Sequence, residues 1–166
     1  MCGGVEYEAH GDIIRTYFPK PKATLPVLRK DGEIEPVIWG RREQELDQTA
    51  EPFPVTGWAR QATLTQRNGF WQRFQTKPVK ICVHGFMEKD GAKQSHWFKL
   101  SKHEAIEGLL VMARPYWRVY VVTEDAPTDP ATLSQRMHAG GHQDDMFANV
   151  DAPAMIHDRW PKIISL

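Results

Sequence analysis

Apolar and polar positions along this chain fall into short runs separated by turn residues, the pattern of extended strands rather than of long helices. Thr24 to Arg29 and Glu33 to Trp39 are two such runs, joined at Asp31-Gly32, a dipeptide suited to a tight hairpin turn. Val79 to Glu88 and Ser95 to Leu100 predict a second hairpin, linked through Asp90-Gly91. Leu109 to Ala113 and Trp117 to Thr123 flank Arg114-Pro115 and read as strands meeting at a turn. Helical spacing is confined to Thr65 to Gln75, Pro130 to Met137, and a turn from Asp151, an N-cap candidate, to His157. The pattern predicts an α+β fold, rich in β-structure, with antiparallel sheet curled into a barrel-like form and few short helices.

Composition narrows the class. A chain of 166 residues with 41% hydrophobic content suits one packed domain, expected to span residues 2–166. No run of eighteen apolar residues occurs, and Met1 to His10 lacks the basic and apolar regions of a secretory signal, so a soluble, intracellular, cytoplasmic protein is expected, with no membrane partner. Two cysteines, Cys2 and Cys82, make no disulfide framework. The formal net charge is zero, yet its distribution is uneven. From Pro52 to Met87 there is no acidic residue, while Arg60, Arg67, Arg73, Lys77 and Lys80 are interleaved there with Phe53, Trp58, Phe70, Trp71, Phe74 and Phe86. Basic residues among aromatic rings are what unpaired nucleic acid requires, since cations neutralise phosphates and bases stack on rings. A second reading stays open for part of the segment: Phe70, Trp71 and Phe74 have the spacing of the buried face of a short helix, with Arg67 and Arg73 on its wet side.

Cys2 adds chemistry. If Met1 is removed, residue 2 carries a free α-amine and a thiol on one carbon skeleton. The amine condenses with an aldehyde to an imine and the thiol closes on the imine carbon, giving a five-membered thiazolidine. With an α-amine pKa of about 7.7–8 and a thiol pKa of about 8.5, both groups are usable near neutral pH. An incidental cysteine at a frayed terminus is the alternative.

Three segments then belong together: Met1-Cys2-Gly3-Gly4, the Gly85-Phe86-Met87-Glu88 element at the end of a strand, and His157-Asp158-Arg159-Trp160-Pro161. This ordered set resembles the SOS-response-associated peptidase (SRAP) family, which begins Met-Cys-Gly, carries a Gly-Phe-aromatic-Glu element and ends its catalytic part with His-Asp-Arg-Met-Pro. Trp39-Gly40, Ala59-Arg60, and Gln94 followed by Phe98 are similar to further elements of that family. The resemblance implies a protein that loses Met1, by its own action or with an aminopeptidase, binds single-stranded DNA, and links its N-terminal cysteine to the ring-opened aldehyde of an abasic site. It implies Cys2 as nucleophile, Glu88 as acid/base, and His157 as the group that positions or protonates the sugar oxygens. It places Trp39, Trp58, Arg60, Arg67 and Arg159 on the DNA-binding face. The chain departs from the family at Gly4, where Arg is usual, at Trp58, which stands for Asn, and at Ala62, which replaces an acid. It implies no cofactor and a monomer.

Two other functions compete. A metal-dependent hydrolase would draw ligands from His138, His142, Asp144 and Asp145, or from Cys82, His84 and His96. A non-catalytic module for single-stranded DNA would keep the basic aromatic segment without the reaction at Cys2. The resemblance favours neither, and no metal is expected.

Overall fold

The computed structural model describes residues 3–45, 52–137 and 159–166. The fold is α+β and β-rich: twelve strands in two sheets and two short helices among the described residues. Strands β1 (Gly4–Ala9), β2 (Asp12–Tyr17), β7 (Gly85–Lys89) and β8 (Ser95–Lys99) form a four-stranded sheet in the order β2-β1-β7-β8. The larger sheet runs β11-β10-β9-β6-β3-β4, built from β3 (Thr24–Leu28), β4 (Ile34–Ile38), β6 (Gln75–Ile81), β9 (Glu104–Ala113), β10 (Tyr116–Asp125) and β11 (Arg159–Pro161). Two short strands join it off that path: β5 (Trp58–Arg60) lies parallel to β10, and β12 (Ile163–Ser165) pairs with β9. Neither sheet closes as a continuous barrel among the described residues. The larger one curls far enough that Trp39, just beyond β4, forms an isolated bridge to Val119 of β10, and the Gly40 amide donates to the Val119 carbonyl at 2.8 Å.

The predicted hairpins at Asp31-Gly32, Asp90-Gly91 and Arg114-Pro115 are present, as is the helix at α2 (Pro130–Arg136), whose Asp129 side chain caps the Ala131 and Thr132 amides. Other segments differ from the sequence reading. Val79 to Glu88 is not one strand, because the chain leaves the large sheet after Ile81 and enters the small one at Gly85. The Cys82 amide bonds to the Pro26 carbonyl at 2.9 Å and the His84 amide to that of Glu6 at 2.7 Å, which ties the crossing to one strand of each sheet. A Cβ at position 85 would meet the Phe98 carbonyl oxygen at 2.6 Å, so only glycine permits the approach of β7 to β8 there. The helix expected from Thr65 to Gln75 is replaced by α1 (Gln61–Leu64), a 3-10 turn at Phe70–Arg73, and the start of β6 at Gln75. Asn68 takes φ 59°, a left-handed conformation that ends helical geometry between the two pieces. Of the three rings there, Trp71 is buried against Tyr120, Phe74 is half-buried and Phe70 is exposed beneath the Arg73 guanidinium. The turn expected from Asp151 to His157 lies outside the described residues.

Both sheets contribute to one core. Val5, Phe86 and Phe98 of the small sheet pack in the same cluster as Leu25, Val37, Ile81, Ile106, Val119 and Val121 of the large one. The opposite face of the large sheet buries Tyr120 and Val122 with Phe53, Ala59, Trp71, Leu109 and Val111. Strand β10 is therefore covered on both faces, and its apolar run is continuous rather than alternating for that reason.

Candidate active site beside the first strand

The site is built where β1 begins. Gly3 sits between two strands: its amide donates to the Met87 carbonyl at 3.0 Å, and its carbonyl accepts the Phe18 amide at 3.2 Å. The β1–β7 ladder pairs Gly4 with Met87 and Val5 with Phe86 and ends there, and the Gly3 amide bonds to the carbonyl of Met87, the residue before Glu88. Cys2 and His157 lie outside the described residues. Gly3, the first described residue, is the chain neighbour of Cys2.

Glu88 is 1% exposed, among the most deeply buried polar side chains of the described residues. Alternation along β7 puts it on the face of Phe86, toward the shared core, while Met87 faces the other way. Burial penalises the ionised carboxylate and pushes its pKa from 4.5 up to about 7. A carboxyl group in that range exchanges protons at neutral pH in either direction, which a surface glutamate cannot do. Directly across the β7–β8 ladder from Glu88 is His96, itself buried, with Nε2 held 2.8 Å from Asp90 Oδ2. In the sequence, His96 stands out only as a possible metal ligand. Its place opposite Glu88 follows from the Asp90-Gly91 turn, which sets the register of the hairpin.

On the other side of Gly3 stand the aromatic residues. Phe18 packs its ring 4.7 Å from that of Trp58, and Trp58 lies 6.2 Å from Trp39 in an edge-on arrangement. Ala59 is fully buried in the second core, so the two-residue period of β5 turns both Trp58 and Arg60 to the opposite face. Trp58 is half-buried and Arg60 exposed. Beside them is a cleft of about 530 Å³ lined by Phe18, Arg41, Arg42, Thr56 and Trp58. Arg41 and Arg42 are almost wholly buried: Arg42 Nε donates to the Phe18 carbonyl at 2.6 Å, and Arg41 Nη1 donates to that of Phe53 at 3.2 Å. These arginines brace the walls of the cleft, with Arg42 Nη1 also 3.5 Å from Glu45 Oε1, and Glu43 joins the lining.

Trp39 requires a correction. Expected on the DNA-binding face, it has no exposed surface, and its indole N–H donates to the Gly57 carbonyl at 2.9 Å. A ring with both faces packed cannot stack on a base, and Trp39 instead backs the half-exposed Trp58. Arg67 is exposed in the loop before the 3-10 turn, and Arg159 begins β11 opposite Asp125, half-buried. Neither is brought to Gly3 by a contact of its own.

The residues weighed as metal ligands are dispersed. Cys82 and His84 line a cleft with Tyr7 and His10, burial raises the Cys82 thiol pKa, and His96 belongs to the Asp90 pair. Among the described residues no group of His, Cys, Asp and Glu is placed to hold a metal ion. His138, His142, Asp144 and Asp145 lie outside them. No helix among the described residues is long and apolar enough to cross a membrane.

Comparison with known proteins finds no matching family model and no matching curated protein. The structure is similar to a crystal structure of a Bordetella bronchiseptica protein, Northeast Structural Genomics Consortium target BoR19, with a TM-score of 0.48 and 19% identity over 77% of this chain and 67% of that one.

Proposed function

We propose that this chain belongs with the SRAP proteins that it resembles in sequence, and that it captures abasic sites in single-stranded DNA during the response to DNA damage inside the cell. Removal of Met1 by hydrolysis, by the protein itself or by an aminopeptidase, frees the Cys2 amine. That amine attacks the C1 aldehyde of the ring-opened sugar and one water leaves as the imine forms. The thiol sulfur then adds to the imine carbon, its proton passes to nitrogen, and the thiazolidine closes. Every step is a hydrolysis, a condensation or an addition, so no oxidant is consumed.

Glu88 serves as the proton carrier. An abasic sugar rests mainly as a cyclic hemiacetal, and opening it needs a proton taken from one oxygen and given to another, as does loss of water from the carbinolamine. The observation that carries the proposal is a fully buried carboxyl, its pKa raised to about 7, directly after Met87, whose carbonyl holds the Gly3 amide next to residue 2. Trp58 offers a half-exposed ring for the neighbouring base, Arg60 a cation for phosphate, and His157 acts on the sugar oxygens. The discriminating experiment is adduct formation with an abasic oligonucleotide in denaturing gels. Cys2→Ala removes the heat-stable adduct and leaves non-covalent binding, whereas Cys82→Ala changes neither. An adduct that survives Cys2→Ala overturns the assignment.

A further inference from the structure

A second cleft, of about 790 Å³, opens where the curled sheet is left uncovered, with walls from β3, β4, β6, β9 and β10. Val79 and Leu110, both half-buried, belong to its floor, and Trp117, 46% exposed, stands at its side. Its residues are not those of the site at Gly3: Phe18, Trp58, Arg60 and Glu88 take no part in it. The rim is basic. Arg29 is occupied by Asp31 at 3.3 Å and Glu35 at 3.9 Å, the two acids of the cleft. Lys30, Lys77 and Lys80 form no ion pair among the described residues, and Glu107, which faces Lys80 across the ladder, is taken by Lys162 at 3.0 Å. Lys77 and Lys80 come from the acid-free segment Pro52 to Met87, whose remaining cations lie elsewhere. An apolar floor, one exposed indole and uncompensated lysines around them match the base, the stacking face and the phosphates of unpaired nucleotides.

We propose that this cleft is a second binding surface for single-stranded nucleic acid, with Trp117 stacking on a base and Lys77, on the same face of the sheet, contacting phosphate. It acts on undamaged strand, independently of any aldehyde. The test measures fluorescence anisotropy of labelled oligothymidylates of increasing length, without abasic sites, across a salt series. Trp117→Ala weakens binding of the longer strands by about 5- to 150-fold, the usual effect of losing one base stack. Lys77→Gln lowers the slope of log affinity against log salt by about 0.7, the value for one phosphate of a single strand that is no longer neutralised. Both variants are checked for unchanged thermal unfolding, and Trp117→Phe, which keeps a ring, restores most of the loss. Unchanged affinity and unchanged salt slope in folded variants overturn the proposal. So does a cleft that takes a fatty-acid anion such as laurate while oligothymidylate leaves it untouched. Because these strands carry no aldehyde, the result is independent of whether Cys2 reacts.

Discussion

Glu88 on β7 and Glu104 on β9 are two glutamates that the same chain treats in opposite ways. Glu104 receives Arg136 Nη1 and Nη2 at 2.9 and 2.8 Å and the Ser101 amide at 2.9 Å, and these hydrogen bonds, led by Arg136, hold its pKa down at about 2. Glu88 is buried more deeply, and burial outweighs every influence that would lower its pKa, which settles at about 7. The first carboxylate is a fixed charge that ties β9 to α2. The second is a group whose charge changes within the physiological range. The raised carboxyl is the one suited to the proton-carrying role proposed for Glu88.

The widest gap between the two is expected in kinetics. Glu88→Gln slows adduct formation, reversal or both by about 10²–10⁴-fold with little change in DNA affinity, while Glu104→Gln leaves the rates unchanged in the folded protein. Stopped-time gel assays over pH 5–8 decide it, and equal rates in wild type and Glu88→Gln return Glu88 to a packing role.

Stability separates them next, and with opposite sign. The folded pKa of Glu88 is raised, so the native state binds its proton more tightly than the unfolded state does, and stability falls as pH rises between 4.5 and about 7. Denaturant melts should therefore show Glu88→Gln gaining about 2–3 kcal/mol on wild type between pH 5 and pH 8, from ~1.4 kcal/mol per pKa unit. For Glu104 the folded pKa is depressed, so its contribution is present above pH 4.5 and is lost as pH falls toward 2. Glu104→Gln then costs about 1–2 kcal/mol at neutral pH, a figure reduced for solvent screening of a partly exposed pair. A flat difference between Glu88→Gln and wild type across pH would show that burial does not raise this carboxyl.

The smallest effect lies in the groove that both variants share. Arg60→Ala should reduce the salt slope of single-strand binding by about 0.7, and by the same amount in the Glu88→Gln background. Non-additivity would mean that the carboxyl and the guanidinium act on each other rather than on separate parts of the DNA.

Local signals in the sequence mark an element where a turn residue announces it. Asp31-Gly32, Asp90-Gly91 and the Pro at 115 each mark a hairpin, and Asp129 before Pro130 marks a helix start. The β1–β2 hairpin escaped notice because its turn uses His10 at φ 54° before Gly11 at φ 82°, and a left-handed histidine carries little sequence signal. Cys82 to His84 change sheets in the middle of an apolar run that gives no sign of a break, since the cause is bonding to Pro26 and Glu6, far away in sequence. Resemblance alone points to Glu88 as a candidate proton carrier, because its burial and the placing of His96 opposite it depend on pairing between strands. The burial of Trp39 is hidden for a related reason: an aromatic beside a basic segment looks the same in sequence whether it faces solvent or the Gly57 carbonyl.

The most direct test of the account is the mass of the protein after reaction with an abasic single-stranded oligonucleotide, followed by peptide mapping. The account predicts a chain that has lost Met1 and carries the oligonucleotide mass less one water, on the peptide that begins at Cys2. A chain that retains Met1 and forms no adduct, or an adduct mapped to a lysine, would contradict it.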